Sequence, residues 1–341
     1  MLRKAMLGLG VTALLFAGIE AGLRARYKPE ALLFEWERPT GLIATSDAGN
    51  IVTQPNMKAT RTDGPYTWRI SLNDLGFRED APVPRSKAPG SLRILAFGDS
   101  WMFGFSVDQG ATIPDVVELQ VSEALGRPVE VINAGVFGSG AFDMLTRYRQ
   151  MVDVYHPDGI LLGQPHNAAH SRSLAASRAT WYRSVREGPA STWRTYLLVR
   201  RWLAPLRSGM YAEIAQGEGR EPEYQDMRTL AQDAHKRGLP VWFIQLPNRL
   251  DQALSGFTGS EDWTTELAAE HVLFAGHSLG ERACWGFEDI GHPSAAGAFA
   301  IATTVSRMIA EKQSIPVGDT PRCVDGPAPG PGKPGWEWAH P

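Results

Sequence analysis

Cysteine is almost absent from this chain, whose 341 residues include only Cys284 and Cys323. Two cysteines are too few for a disulfide scaffold, and their separation does not fit the spacing of zinc ligands. Outside the cytosol the two could pair and close a loop of about 40 residues around His292. Two unpaired thiols are the equally open alternative.

A large excess of charge of one sign is also missing. The formal net charge is −3, which argues against nucleic acid as a partner, because proteins that bind it carry a basic surface. The charge is nevertheless uneven, since residues 171–207 contain eight arginines and a single acid, Glu187. Hydrophobic residues make up 43% of the chain, which is ample for a packed core in one α/β domain with insertions or in two domains.

A long apolar run occurs only at the amino terminus, where residues 5–19 follow Arg3 and Lys4. Its length suits the core of a signal peptide and is slightly short for a membrane span. The positions where a cleavage site would need small residues hold Glu20, Leu23 and Arg24. We therefore favour an uncleaved membrane anchor at residues 1–26 over a cleaved signal, with the rest of the chain outside the cytoplasm, in the cell envelope.

After this anchor, the apolar pattern alternates between strands and helices. Residues 66–72 are the clearest strand of an otherwise irregular lead segment. Strands are then predicted at residues 93–97, 129–133, 159–162 and 241–246, and helices at residues 113–125, 142–155, 223–236 and 295–311. Such alternation predicts a parallel sheet covered by helices on both faces, which is a three-layer α/β/α sandwich.

These elements divide the chain into an anchor, a strand-rich lead segment with a linker, one α/β domain and a Pro/Gly-rich tail. The corresponding residues are 1–26, 27–90, 91–314 and 315–341. Residues 168–215 interrupt the domain and are predicted to be an inserted basic and aromatic cap over the ligand-binding edge of the sheet. Within it, a helix is predicted over residues 192–203. Arg194 and Arg201 on this helix could contact an anionic substrate or form a solvated basic face.

The most informative motif is residues 97–100 (FGDS), at the end of the first strand of the sheet. A serine at a strand-to-helix turn lies at the carboxyl end of the sheet, where open α/β sheets bind their ligands. The first free N–H groups of the helix point the same way. Ser100 is therefore a candidate nucleophile.

A nucleophilic serine needs a base and a carboxylate that orients it. Asp289 and His292 stand three positions apart, so that one short loop can deliver both. His292 would take the serine proton, and Asp289 would fix the ring tautomer. Donors for the oxyanion could come from the N–H of Ser100, the N–H of Gly135 and the side chain of Asn167, because each follows the carboxyl end of a predicted strand.

The chain resembles the SGNH (GDSL-like) hydrolase family, in particular its membrane-associated, extracytoplasmic esterase-like members. The matching stretches lie within residues 65–310 and are residues 73–78 (NDLGFR), 93–100, 133–135 (NAG), 157–158 (PD) and 289–292 (DIGH). The resemblance implies a flavodoxin-like fold and no metal or organic cofactor. It also implies a triad of Ser100, Asp289 and His292, with Gly135 and Asn167 completing the oxyanion hole.

One stretch departs from the family pattern, which has Asn-Asp after the third strand. Here Ala168 stands in place of the aspartate, and a proline and His166 precede Asn167. His166 could contact substrate or be an ordinary loop histidine. Trp101, directly after the nucleophile, is a further candidate for substrate contact.

Two other motifs resemble functional ones but fit their context poorly. Residues 276–280 (GHSLG) match the nucleophile elbow of α/β-hydrolases. That fold needs strands between its serine and the later acid and histidine, and only about a dozen residues separate Ser278 from Asp289. Residues 135–140 have the spacing G-x-x-G-x-G, and the dinucleotide fingerprint is G-x-G-x-x-G.

The sequence thus predicts a serine esterase that forms an acyl-enzyme and cleaves a carboxyl ester. An O-acyl ester, such as an acetyl ester of a glycan, or a small ester is the expected substrate. The alternatives are an O-acyltransferase that acts on a glycan, and a catalytically silent module that binds glycan or lipid. The other expected partner is the membrane, through the amino-terminal segment.

Overall fold

The structure is a computed structural model of the chain. It describes residues 2–33, 41–164, 179–180, 183, 188, 191–203, 221–245, 270–273 and 292–311. The helices are α1 (Leu2–Arg26), α2 (Pro29–Leu32), α3 (Ser100–Phe103), α4 (Ile113–Leu125), α5 (Ala141–Tyr155), α6 (residues 194–203), α7 (Glu221–Lys236) and α8 (Ala295–Glu311). The strands are β1 (Ile43–Thr45), β2 (Ile51–Thr53), β3 (Lys58–Asp63), β4 (Tyr66–Ser71), β5 (Leu92–Phe97), β6 (Val129–Asn133), β7 (Gly159–Gly163), β8 (Val241–Gln245) and β9 (Glu270–Leu273).

The centre of the fold is a sheet of five parallel strands in the order β6-β5-β7-β8-β9. Numbered along the chain, this is 2-1-3-4-5, the flavodoxin-like order. In this order β5 lies between β6 and β7, with Ile94 opposite both Val131 and Gly159. The carboxyl end of β5 is therefore flanked by two other strand ends.

Helices cover both faces of this sheet. Because successive strand residues point to opposite sides, Ile94 packs with residues of α4 and α8, and Leu95 packs with residues of α5 and α7. The predicted parallel sheet with helices on both faces is confirmed. Within this sheet, β9 is the strand that we did not predict. Glu270 and His271 interrupt its apolar pattern.

The lead segment forms two antiparallel hairpins, β1–β2 and β3–β4, which pack on the loops at the carboxyl edge of the sheet. Trp68 and Ile70 of β4 share a buried cluster with Phe103 of α3. Ile43 and Ile51 share another with Val136, which follows β6. The segment predicted to lead into the domain thus covers the edge at which Ser100 lies.

One buried cation fastens the β3–β4 hairpin to this edge. The Arg78 guanidinium is fully buried and donates hydrogen bonds to the carbonyl oxygens of Phe103 (2.7 Å), Val107 (2.5 Å) and Arg69 (3.2 Å), and to that of Gly104. Burial lowers the pKa of Arg78 to about 10. Since this value is still well above 7, the side chain remains charged at neutral pH. The hydrogen bonds to carbonyl oxygens offset part of the cost of burying that charge.

The amino-terminal helix α1 stands apart from this core. Residues Gly8–Arg26 form a helix that is long and apolar enough to cross a membrane, and only 6% of this stretch is buried. Residues 2–7 of the predicted anchor lie in the same helix.

Replacing Arg78 by Met should lower the free energy of unfolding by about 3 kcal/mol or more, because several buried carbonyl oxygens lose their donor. Arg69→Met is the matched control. Its side chain is 74% exposed and pairs with Asp108 at 3.4 Å, so its loss should cost less than about 1 kcal/mol. Thermal and chemical unfolding of both variants and of the unaltered protein, in the same detergent, measure the change in stability. Equal stability of the two variants would contradict the role given to Arg78.

Candidate active site

The nucleophile candidate begins a one-turn helix with defined caps. The Asp99 carboxylate caps α3 by accepting a hydrogen bond from the Trp101 N–H at 3.1 Å. Gly104 ends the helix in the left-handed conformation, with φ of 80°. Because aspartate and glycine are favoured at these two positions, the local sequence accounts for the turn. Ser100 follows β5 by three residues and is 7% exposed.

Two glycines let the chain pass close to α3. A Cβ atom on Gly98 would lie 2.5 Å from Cβ of Met102, and one on Gly135 would lie 2.6 Å from the backbone nitrogen of Phe103. Neither contact could be relieved by rotating a flexible side chain. The glycine of the FGDS motif and the first glycine after β6 are therefore explained by packing against α3.

The structure brings Ser100 and His292 together across 192 positions of the chain. The His292 Nε2 atom lies 2.9 Å from Ser100 Oγ, within hydrogen-bond distance. His292 is half-buried and lies three residues before α8. The backbone there is held by Ser294, whose carbonyl oxygen and hydroxyl accept from the N–H groups of Ala298 and Gly297 at the start of α8.

An aromatic ring that we did not predict supports the histidine. The Phe105 ring lies 4.8 Å from the His292 ring, at an interplanar angle of 42°. On β3, the Arg61 guanidinium lies 5.9 Å from the centre of the Phe105 ring, and burial lowers the pKa of Arg61. The only hint in the sequence is that Phe105 continues the alternation of Trp101 and Phe103.

The predicted oxyanion donors differ in their surroundings. Among the described residues, the N–H of Ser100 donates to no acceptor, as befits the first residue of a helix. The N–H of Gly135 donates to Oδ1 of Asn133 at 3.1 Å. Asn167 lies outside the described residues. Gln164, which follows β7, is 4% exposed, and its Oε1 accepts no hydrogen bond within the described part of the chain.

Three residues predicted to bind substrate have other surroundings. Trp101 is 4% exposed and packs in the core cluster between the sheet, α4 and α8, so this placement does not support substrate contact. Arg194 donates to the carbonyl oxygens of Thr192 (2.6 Å) and Tyr27 (3.4 Å), and Arg201 to that of Ala31 (3.3 Å). The hydrogen bonds to Tyr27 and Ala31 join α6 to the segment that follows α1.

The other predicted residues lie outside the described part of the chain. They are Asp289, His166, Ser278, Cys284 and Cys323. The described residues contain no group of three His, Cys, Asp or Glu that could hold a metal ion.

Comparison with solved structures finds esterases and lipases. AlinE4, an SGNH-hydrolase family esterase, has 18% identity and a TM-score of 0.40, covering 66% of this chain and 98% of that one. The lipase/acylhydrolase from Enterococcus faecalis has 16% identity and a TM-score of 0.41, covering 66% and 100%. The esterase EstA from Pseudoalteromonas sp. has 13% identity and a TM-score of 0.41, covering 64% and 96%.

No family model and no curated protein matches the chain. The likeness to the solved structures is one of chain trace.

Phe105→Ala should slow the reaction of Ser100 with a fluorophosphonate probe by about tenfold, because His292 then loses the ring that holds it against the serine. Phe105→Tyr keeps the ring and should react at nearly the original rate. The measurement is the second-order labelling rate, with circular dichroism to establish that each variant is folded. Equal rates for all three proteins would contradict this role.

Proposed function

We propose that the chain is a serine esterase of the SGNH hydrolase type. The observation that carries the proposal is the distance of 2.9 Å between Ser100 Oγ and His292 Nε2, at the carboxyl end of a parallel sheet. A serine hydroxyl is a weak nucleophile until a neighbouring base accepts its proton. Helix capping and the Phe105 ring support the positions of the two side chains, as preorganised catalysis requires.

The proposed reaction proceeds through an acyl-enzyme. Ser100 Oγ attacks the ester carbonyl carbon while its proton passes to His292 Nε2. When the tetrahedral intermediate collapses, the bond to the alcohol oxygen breaks and the alcohol leaves with that proton. Water then attacks the acyl group while His292 takes a proton from it, which releases the carboxylic acid and restores the serine hydroxyl. Asp289, three positions before His292, is the proposed partner that orients the ring.

The oxyanion that forms in both steps needs hydrogen-bond donors already in place. The N–H of Ser100 is the donor that the geometry supports best, because it has no acceptor among the described residues. The N–H of Gly135 must exchange Oδ1 of Asn133 for the oxyanion before it can contribute. Asn167 remains the proposed third donor, on the family resemblance.

The proposed substrate is an O-acyl ester of a glycan or a small carboxyl ester, again on the family resemblance. Beside the proposed base lies the apolar ring of Phe105, which in turn contacts the Arg61 guanidinium. A hydrolysis screen across acetylated glycans, short p-nitrophenyl esters and lysophospholipids would identify the class. Products analysed with free glycan present would separate hydrolysis from acyl transfer.

Ser100→Ala and His292→Ala should each reduce turnover by several orders of magnitude and leave the fold intact. The double variant should be little less active than either single variant, because the pair acts as a unit. Ser278→Ala is the control and should be nearly neutral. The test is ester hydrolysis and fluorophosphonate labelling of purified protein. Activity in Ser100→Ala, with contaminating esterase excluded, would overturn the assignment.

Substitution of Asp289 or Asn167, the two proposed supporting residues, should reduce turnover less than substitution of Ser100. Asp289→Asn should reduce turnover less than Ser100→Ala, since it removes no reacting group. Asn167→Ala should raise the activation free energy by about 3 kcal/mol if its amide donates to the oxyanion. A kcat unchanged by Asn167→Ala would remove this residue from the oxyanion hole.

The proposed location is the outer side of the cytoplasmic membrane, with residues 1–26 as the anchor and the esterase domain, residues 91–314, outside. The length and hydropathy of Gly8–Arg26 support an anchor. The positive-inside rule does not set its orientation, because Arg3 and Lys4 precede the apolar run and Arg24, Arg26 and Lys28 follow it. The outer location rests on the family resemblance. The lead segment, residues 27–90, then lies between membrane and domain.

Protease added to spheroplasts should therefore degrade the domain without lysis, because no membrane shields it. A cytoplasmic protein probed in the same samples reports on leakage. Full protection of the domain until lysis would refute the proposed location.

A further inference from the structure

The end of α1 is joined to the start of α6 by a cluster of hydrogen bonds. The Glu20 carboxylate accepts from the backbone N–H groups of Arg194 (3.0 Å) and Thr195 (2.9 Å), and from the Thr195 hydroxyl (2.8 Å). Arg24, one turn along α1, donates to the same carboxylate at 2.7 Å. A carboxylate at a helix N-terminus satisfies free N–H groups and interacts favourably with the helix dipole. Glu20 thus acts as the cap of α6.

Further contacts extend this junction on both sides. The Phe16 and Trp193 rings meet edge to face, with their centres 5.6 Å apart. The hydrogen bonds from Arg194 to Tyr27 and from Arg201 to Ala31 join α6 to the segment beyond α1. Contacts from Phe16 to Ala31 therefore fix α6 beside the end of α1.

The helix α6 exposes an apolar face. Leu197 and Arg200 are buried, but Leu198 is 39%, Val199 50% and Trp202 76% exposed. Residues spaced by three and four positions share one side of a helix, so these three form a stripe. Trp193 and Leu203, also exposed, lie at its two ends, and the neighbouring α1 exposes Leu9, Leu14, Leu15 and Ile19 as well. Several large apolar side chains exposed on two helices that contact each other indicate an interaction site.

The position of the cap along α1 indicates which partner covers this face. Glu20 directly follows the apolar run of residues 5–19 and lies in the last part of the membrane-crossing stretch Gly8–Arg26, so it is toward the headgroup side of the inserted helix. The start of α6, bound to Glu20, is then at the same depth. Tryptophan is enriched at this depth, and arginine side chains there reach lipid phosphates from apolar surroundings. Trp193, Trp202 and Arg201 match that composition.

We propose that α6 is a second membrane contact, which lies in the lipid–water interface and turns Leu198, Val199 and Trp202 toward the acyl chains. The occupant is a phospholipid bilayer, because Glu20 and Phe16 fix α6 to the helix that enters the membrane, and the exposed side chains of α6 have the composition of the lipid–water interface. The proposal rests on the anchoring role of α1 proposed above, and it is independent of the esterase chemistry. It assigns to part of the insertion, which was predicted as a cap over the sheet, a role in orienting the domain on the membrane.

The test uses the full chain in vesicles of phosphatidylcholine and phosphatidylglycerol, with or without brominated phosphatidylcholine. An NBD fluorophore is attached at Trp202→Cys. Leu119→Cys on α4, where Leu119 is 45% exposed, is the matched control, and the unaltered chain gives the background from Cys284 and Cys323. Brominated lipid should quench the label at 202 at least about twofold, since an interfacial helix buries its apolar face several ångströms deep. The label at 119 should be almost unaffected.

Glu20→Ala then tests the link between the two helices. It should reduce the quenching at 202 while the chain still resists carbonate extraction, because α1 remains inserted. Quenching at 202 as weak as at 119 would overturn the proposal. Energy transfer between labelled copies without lipid quenching would also overturn it and assign the face to a second copy of the chain. Full quenching at 202 in Glu20→Ala would remove Glu20 from the proposal.

Discussion

The buried guanidinium of Arg78 is the interaction on which the arrangement of the site depends. It donates hydrogen bonds to the carbonyl oxygens of Phe103 and Gly104, at the end of α3, and to that of Val107, at the end of the loop that carries Phe105. The same guanidinium donates to the carbonyl oxygen of Arg69 in the hairpin β3–β4. One cation thus joins the end of α3, the loop that carries Phe105 and the hairpin that covers them.

The turn before Arg78 explains why the NDLGFR stretch has its sequence. Oδ1 of Asn73 accepts from the N–H groups of Leu75 and Phe77, both at 3.0 Å. Gly76 takes a φ of +77°, and a Cβ there would lie 2.7 Å from Oγ1 of Thr53. Asparagine and glycine are therefore required by the turn, and the turn delivers arginine to its buried position. The motif is far from the serine in sequence, but it helps to build the serine's surroundings.

The sequence predicted elements well where the pattern is local. Amphipathic period placed the helices that flank the sheet within a few residues, because each of them buries one face. Apolar runs placed four of its strands, because helices cover the sheet on both sides. The strand β9 was missed because Glu270 and His271 break its apolar run. The local sequence pattern also could not predict that the hairpins cover the sheet edge. Their position results from contacts between residues distant in sequence, such as Trp68 and Phe103.

The same distinction applies to the candidate site. Ser100 and His292 could be paired from the chemistry of their motifs, since a serine at a strand end needs a base. Phe105 carries no chemical signature and is significant only through its contact with His292. Arg194 and Arg201 were candidates for substrate contact by charge alone, and the hydrogen bonds that join them to Tyr27 and Ala31 could not be read from spacing.

The separation of 192 positions between Ser100 and His292 has a consequence for biosynthesis. At a synthesis rate of about 5–20 residues per second, the serine leaves the ribosome roughly 10–40 s before the histidine. During that interval the chain carries the Ser100 hydroxyl without His292 beside it. A growing polypeptide that ends before His292 therefore lacks the pair on which the proposed ester cleavage depends, and that reaction can begin only after His292 has reached Ser100.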